Sequence, residues 1–231
     1  MSIQLQLDVI QDHIRLACER ANRNPEEITL IAVSKTQPEE VMKEAYQAGI
    51  RVFGENKVQE LTNKYTYMPE DISWHMIGHL QTNKVKQVVG KASLIHSVDS
   101  LRVAEAIAKE SVKRGIVSDV LIEVNVAEEE SKFGFSCQEV STVVRTISAY
   151  PGIHVCGLMT IAPFVDNSEE NRAIFSVLRE LSVDIKAQNI DNVNMDVLSM
   201  GMTNDYEVAI EEGATMIRVG TGLFGERDYK R

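Results

Sequence analysis

Apolar and polar residues follow two alternating patterns along this chain. Short apolar runs rich in branched residues, typical of strands buried on both faces, alternate with stretches whose apolar residues recur every three or four positions, as on one helix face. The runs that indicate strands are 30–33, 51–54, 72–77, 94–98, 120–126, 154–159, 195–199 and 216–219. A helical pattern follows each of them, although the last one, at 222–229, is short.

Eight strand–helix units in succession predict an α/β fold, a single (β/α)8 TIM-type barrel of parallel strands. An open, doubly wound sheet is the alternative, and it would need fewer strands. No linker and no shift in composition interrupts the chain, so residues 1–231 are predicted to form one domain.

An extra helix is predicted before the first strand. Its apolar residues recur at helical spacing over the first twenty or so positions, at Leu5, Val9, Ile10, Ile14 and Ala17. We therefore expect an amphipathic N-terminal helix that packs against the barrel.

The run 120–126 predicts which side chains point into the barrel. Alternation places Val120, Ile122, Val124 and Val126 on the face toward the helices, and Leu121, Glu123 and Asn125 on the inner face. Two readings of the inner polar pair stay open. Glu123 and Asn125 either line the mouth of the barrel or satisfy each other in its core.

A lysine follows the first strand directly. Lys35 lies between the end of this strand and a helix that begins near Pro38. The carboxyl ends of parallel strands carry the functional sites of α/β folds. The side chain either extends to solvent at the rim or is an amine with a lowered pKa that forms an imine with a carbonyl compound.

Composition and charge exclude several classes of protein. The chain is 44% hydrophobic and 25% charged with a net charge of −10, which disfavours binding to a nucleic-acid backbone. Its three cysteines are widely spaced and indicate neither a disulfide framework nor a zinc site. There is no signal peptide and no apolar stretch long enough to cross a membrane, so we expect a cytoplasmic protein.

Two loops of small residues indicate a phosphate site. Ser199 and Gly201 follow the seventh strand, and Gly220 and Thr221 follow the eighth, each before a helix N-terminus where free N–H groups favour an anion. Phosphate sites of α/β barrels commonly use these two loops. Arg218 lies on the inner face of the last strand, and its partner is either the phosphate ligand or an inward carboxylate such as Glu123.

Other polar residues carry weaker signals. His75 and His79 lie on a strand and its loop with no third ligand nearby, so no metal site is predicted. Asn56 reads most simply as a residue that starts a helix, and it also faces the mouth of the barrel.

Several motifs in a fixed order give a resemblance to a known family. They are AVSKT at 32–36, FGENKVQE at 53–60, WHMIGHLQTNK at 74–84, SVDS at 97–100, GLM at 157–159, LSMGM at 198–202 with Asp205, IRVG at 217–220 and FG at 224–225. Together they resemble the pyridoxal phosphate homeostasis protein family over nearly the whole chain. Such a set is far more specific than any one motif.

The resemblance implies a cofactor, pyridoxal 5′-phosphate (PLP), and a fold-type III barrel similar to the N-terminal domain of alanine racemase, without a C-terminal β-domain. It implies that Lys35 is the internal aldimine lysine and that Arg218 faces the pyridine nitrogen. It also implies that Asn56 makes a polar contact near the ring hydroxyl of the cofactor. The implied phosphate ligands are Ser199, Gly201, Gly220 and Thr221.

The implied function is PLP binding in intracellular vitamin B6 homeostasis, without robust turnover. A cation opposite the pyridine nitrogen makes the cofactor a weaker electron sink, and no second acid–base residue is expected opposite Lys35. The alternatives are a minimal amino-acid racemase using Lys35 with Tyr46, His79 or a water, and a phosphosugar-binding barrel. We expect a monomer, with PLP-dependent apo-enzymes as candidate recipients.

Overall fold

Eight parallel strands close into a barrel in the computed structural model, which describes residues 2–129 and 133–225. The strands pair in sequence order, and the last pairs with the first, so that Ile31 of one lies beside Arg218 of the other. Their bounds are β1 Thr29–Val33, β2 Val52–Glu55, β3 Ser73–Met76, β4 Leu94–Val98, β5 Ser118–Glu123, β6 Ile153–Met159, β7 Val193–Met202 and β8 Met216–Val219. The predicted (β/α)8 barrel is confirmed.

Helices follow the strands around the outside of the barrel. Their bounds are α1 Ile3–Arg20, α2 Glu39–Gln47, α3 Val58–Lys64, α4 Val85–Val88, α5 Leu101–Arg114, α6 Val140–Ser148, α7 Arg172–Ala187, α8 Tyr206–Glu211 and α9 Thr221–Phe224. Short 3-10 turns lead into α4 and α7. The predicted last helix reached residue 229, and positions 226–229 lie outside the described residues.

The N-terminal helix α1 forms as predicted, but with a different buried face. The Ser2 hydroxyl caps it by accepting the Leu5 N–H at 3.3 Å. Leu5 and Val9, predicted to be buried, are 50% and 46% exposed. The buried stripe consists of Ile3, Leu7, Ile10, Ile14, Ala17 and Cys18. Ile3 and Leu7 lie on a different side of the helix from Leu5 and Val9. Only one of these two pairs can share a stripe with Ile10 and Ile14, and in the structure it is Ile3 and Leu7.

The barrel interior holds a small apolar cluster beside buried polar groups. Leu94, Leu121, Cys156 and Met159 form a buried cluster separate from the larger core between strands and helices. Leu121 therefore points inward as predicted. Of the two readings of the inner polar pair, the pairing of Glu123 with Asn125 is not seen among the described residues, where the Asn125 amide exchanges hydrogen bonds with the Glu129 backbone at 2.9 and 3.2 Å.

A membrane span is not found in the described part of the chain. No helix there combines the length and the apolar character that crossing a bilayer requires.

Candidate functional site

A cavity of about 220 Å³ opens at the carboxyl end of the barrel. Lys35, Asn56, Arg218, Gly220 and Thr221 all line it, although they come from three separate parts of the chain. The parallel strands bring them together because every strand ends at the same rim. An amine, a guanidinium and a loop of small residues thus face one space.

A buried charge network holds the backbone around Lys35. Lys64, 4% exposed, donates from Nζ to the Ser34 carbonyl and to Glu55 Oε1, each at 2.7 Å. The Ser34 hydroxyl donates to the same Glu55 oxygen at 2.7 Å. On the other side of Lys35, the Thr36 N–H donates to Glu60 Oε2 at 2.6 Å. Hydrogen bonds therefore hold the backbone on both sides of the half-buried Lys35.

Asn56 lies just beyond β2 and turns its side chain into the cavity region. The predicted helix start is wrong by two residues, because Glu55 still belongs to β2 and α3 begins at Val58. Asn56 Oδ1 is buried and has no hydrogen-bond partner among the described residues. A Cβ at Gly78 would lie 2.4 Å from the Asn56 carbonyl oxygen, so glycine allows this close approach. The orphaned oxygen is a ready acceptor for a ligand donor.

Arg218 is a buried cation held by neutral oxygens. It is 5% exposed, and it donates from Nη1 to Ser199 Oγ at 2.6 Å and from Nη2 to the Thr160 carbonyl at 2.8 Å. Burial lowers its pKa to about 10, while Asp205 and Glu123 act in the opposite direction, so the group stays protonated near neutrality. The alternative of a salt bridge to Glu123 is not seen within the described residues.

A chain of neutral groups continues from Arg218 down through the barrel. Ser199 Oγ lies 2.9 Å from His96 Nδ1, His96 Nε2 lies 2.9 Å from His75 Nδ1, and His75 Nε2 lies 3.2 Å from Ser73 Oγ. Burial lowers the pKa of His75 to about 4 and that of His96 well below its usual value, so both rings are neutral.

The proton order in this chain follows from arginine, which can only donate hydrogen bonds. Ser199 accepts from Arg218, and its own buried proton has His96 Nδ1 as its one acceptor among the described groups. His96 then donates from Nε2 to His75, and His75 donates from Nε2 to the half-buried Ser73. Every proton in the chain therefore points away from the cavity.

The loops after β7 and β8 form the wall suited to an anion. The Thr203 hydroxyl accepts the Gly222 N–H at 3.3 Å and lies 3.3 Å from the Thr221 hydroxyl. Thr203 and Asn204 line the cavity, and within the described chain their backbone N–H groups donate to no backbone carbonyl. Convergent hydroxyl and N–H groups of this kind bind phosphate oxygens.

Ser199 and Gly201, predicted as phosphate ligands, do not line this cavity. The Ser199 hydroxyl is fully buried between Arg218 and His96. Gly201 has a φ of +88°, and a Cβ there would lie 2.5 Å from Ala209 Cβ, so its place is under α8. Ser199 supports Arg218 and Gly201 lets the loop pack closely, so the direct ligand role of either residue stays a prediction.

Thr203 and the apolar walls of the cavity were not predicted from the sequence. Thr203 stands in the same loop as Ser199 and Gly201, and a hydroxyl residue next to a helix start was the available signal. Ile77, Ile161 and Phe164 line the cavity from other loops and had no distinguishing sequence pattern.

Two residues named for the alternative racemase reaction lie away from the cavity. The Tyr46 hydroxyl hydrogen-bonds Asp71, and Arg51 Nε pairs with the same carboxylate at 2.8 Å, near the amino ends of β2 and β3. His79 contacts Asp99 Oδ2 at 2.6 Å and stacks on Phe133. Neither Tyr46 nor His79 lines the cavity that Lys35 faces.

Comparisons with known proteins agree with this geometry. The family model described as alanine racemase, N-terminal domain, matches residues 5–228. The pyridoxal phosphate homeostasis protein of Aquifex aeolicus is 47% identical over 224 residues, covering 96% of this chain and 97% of the relative. The Escherichia coli K12 protein of the same name is 39% identical over 227 residues, with 96% and 95% covered. This chain belongs to the pyridoxal phosphate homeostasis protein family.

Solved structures place the family's barrel in a wider group. PipY of Synechococcus elongatus PCC7942, solved with PLP bound, is 33% identical with a TM-score of 0.83, covering 97% of this chain and 100% of that one. Alanine racemase from Corynebacterium glutamicum is 17% identical with a TM-score of 0.72, covering 96% of this chain and 62% of that one. The second match shows that pyridoxal phosphate homeostasis proteins and the racemase share the barrel fold.

Proposed function

We propose that this chain binds PLP in the cavity at the carboxyl end of the barrel and serves intracellular PLP homeostasis. The observation that carries the proposal is the meeting of Lys35, the buried Arg218 and the Thr203 loop around one cavity. The names of its relatives and the PLP-bound structure of PipY support the choice of ligand.

The residues present fit this cofactor group by group. Lys35 Nζ would hold its carbonyl carbon covalently, Arg218 would face the ring nitrogen, and the orphaned Asn56 Oδ1 would accept a ring donor. Thr203, Gly220 and Thr221 would hold the phosphate, with Ser199 and Gly201 supporting them from behind. PLP supplies an electron sink for amino-acid chemistry when it is bound.

The titratable groups around the cavity favour holding the cofactor over turnover. In the described chain, Asp205 and Arg218 are the acidic and basic side chains that line it besides Lys35. Asp205 accepts the Met202 N–H at 2.7 Å and the Asn171 amide at 2.8 Å, and Arg218 stays protonated. Two-sided proton transfer needs a second group that exchanges a proton. A minimal racemase is the competing function, and exchange of the amino-acid α-proton with solvent would identify it.

Borohydride reduction followed by peptide mass mapping tests the central proposal. We expect a pyridoxyl adduct on the peptide containing Lys35 and none at this site in Lys35→Ala. Lys57→Ala removes an exposed lysine just beyond Asn56 and serves as the matched control, with an unchanged adduct. An unmodified Lys35 in protein saturated with PLP would contradict the proposal and favour an ordinary phosphosugar site.

We further propose that PLP-dependent apo-enzymes receive the cofactor and that the protein acts as a cytoplasmic monomer. Phe164 at the cavity wall is 80% exposed, so the exit route is open to a partner surface. The three cysteines are free thiols, which suits a reducing compartment. Sedimentation tests the monomer. To test the recipients, an apo-enzyme is mixed either with the PLP-loaded protein or with an equal amount of free PLP. Faster loading of the apo-enzyme by the protein would support direct transfer.

A further inference from the structure

Three side chains with metal-binding atoms meet at the amino end of the barrel, away from the cofactor cavity. Asp119 of β5 and His154 of β6 are direct neighbours in the strand pairing, and Cys156 follows on the same face of β6. A carboxylate oxygen, a ring nitrogen and the sulfur lie within 4.8 Å of one another.

The contacts converge on a single ring nitrogen. His154 Nδ1 lies 2.9 Å from Asp119 Oδ1 and 3.4 Å from Cys156 Sγ. A Cys–His–Asp relay for nucleophilic catalysis uses both nitrogens of the imidazole, one for the thiol and the other for the carboxylate. Here both partners face Nδ1, so the three groups surround a common point and do not form a line.

We propose that Asp119, His154 and Cys156 form a binding site for a divalent transition metal, with Zn²⁺ as the best fit. Sulfur, imidazole nitrogen and carboxylate oxygen are the ligand types that Zn²⁺ takes in proteins, and three protein ligands leave one tetrahedral position for water. No metal site was predicted from the sequence, because the cysteines lack a paired spacing. The pairing of β5 with β6 supplies the third ligand from a separate part of the chain.

Binding is a simple exchange of a proton for a metal ion. The S–H bond of Cys156 breaks, its proton goes to solvent, and the thiolate electron pair forms the metal–sulfur bond. His154 Nδ1, which donates to Asp119 in the metal-free protein, gives up that proton and binds the metal ion through its lone pair, while Nε2 takes up one proton from solvent so that the ring stays neutral. Asp119 binds through its carboxylate oxygen. One proton is released per metal ion, and no electron is transferred.

Zinc titration of the PLP-loaded full-length protein by calorimetry tests the site. We expect one Zn²⁺ per chain and the release of one proton, measured from the dependence of the heat on buffer ionisation. Cys156→Ser and His154→Gln should each weaken binding by about 100-fold, the top of the range seen when only a supporting partner of a ligand is lost. Cys137→Ser is the matched control, because Cys137 is a free thiol outside the cluster, and it should bind as the wild type does.

A second measurement guards against variants that fail to fold. Each variant should still give the borohydride adduct at Lys35 in wild-type yield, because the cavity lies at the opposite end of the barrel. With Co²⁺ in place of Zn²⁺, a sulfur-to-metal absorption band should appear in the wild type and in Cys137→Ser but not in Cys156→Ser. Binding that survives both Cys156→Ser and His154→Gln, or that releases no proton, would overturn the proposal.

Discussion

Two buried cations, Lys64 and Arg218, are held in opposite ways within the same barrel. Lys64 pairs with the buried carboxylate of Glu55 at 2.7 Å and with Glu60 at 3.3 Å. Arg218 donates to the Ser199 hydroxyl and the Thr160 carbonyl, both of them neutral. The first charge is neutralised inside the protein, and the second is oriented without a hydrogen-bonded carboxylate.

The difference separates a structural charge from one available to a ligand. A buried ion pair is complete, and removing one partner leaves the other buried and unpaired. A cation whose hydrogen-bond acceptors are all neutral still attracts a negatively charged or electron-rich group, so a ligand in the cavity can pair with it. Lys64 therefore stabilises the backbone next to Lys35 through the Ser34 carbonyl, whereas Arg218 lines the same cavity as Lys35.

Lys64→Met should produce the largest loss of stability. It leaves Glu55 buried without its cation, which costs about 3–5 kcal/mol of unfolding free energy. Denaturation by urea measures the loss, and the double variant Lys64→Met with Glu55→Leu should recover most of it because no unpaired charge remains. A single variant within about 1 kcal/mol of wild type would show that the pair contributes nothing.

Two buried groups inside the barrel, His75 and Glu123, should make the free energy of unfolding depend on pH in opposite directions. His75 has a folded pKa of about 4, below the usual 6.5, so its contribution is full above pH 6.5 and is lost as the pH falls. Burial, assisted by Asp99, raises the pKa of Glu123 from 4.5 to about 7, so its contribution is present below pH 4.5 and is lost as the pH rises through 7.

Glu123→Gln separates these two effects. In this variant the free energy of unfolding should fall by at least about 3 kcal/mol from pH 6.5 to pH 4, which is the linkage value for His75 alone, because His96 with its lowered pKa acts in the same direction. The wild type should change less over the same interval, because Glu123 acts against His75 there. Urea denaturation across this range measures both slopes, and identical slopes would rule out a raised Glu123 pKa.

Two hydroxyl removals distinguish the cavity wall from the support behind it. Thr203→Val should weaken PLP binding by about tenfold, the loss of one hydrogen bond to a charged group, because Thr203 faces the cavity. Ser199→Ala should weaken it by less than about threefold, because the Ser199 hydroxyl serves Arg218 and His96. Equilibrium dialysis gives both affinities. The reverse order would make Ser199 the direct phosphate ligand.

Arg218→Met should change stability least. In ligand-free protein we expect a change of less than about 1 kcal/mol, because loss of two hydrogen bonds is offset by removal of a buried charge that no carboxylate hydrogen-bonds. Thermal and urea unfolding beside Lys64→Met provide the comparison. A loss as large as that of Lys64→Met would mean that the protein itself neutralises Arg218.

The barrel was predictable because its pattern is local. Each strand is a short apolar run, and repetition of the strand–helix unit specifies parallel strands. The face of α1 was not predictable in the same way, because both Leu5 with Val9 and Ile3 with Leu7 form acceptable stripes, and the choice depends on the packing partner. The structure also extends the seventh strand from the predicted 195–199 to Val193–Met202.

The site was predictable in its location but not in every side chain. Lys35, Asn56, Arg218, Gly220 and Thr221 were placed by strand ends and by family resemblance, and they line one cavity. The register of β7 with β8 shifts between Ser199 and Met202. Thr203 follows this irregularity at the cavity wall, and no local sequence pattern specifies such a shift.

The histidine chain makes the cofactor cavity observable from the far end of the barrel. If a bound group drew Arg218 away from Ser199, the Ser199 hydroxyl could rotate, and the tautomers of His96 and His75 would no longer be fixed. Nitrogen NMR distinguishes a protonated from an unprotonated imidazole nitrogen. The ring of His75, hydrogen-bonded to Ser73 at the start of β3, is therefore a spectroscopic reporter of whether Arg218 contacts Ser199.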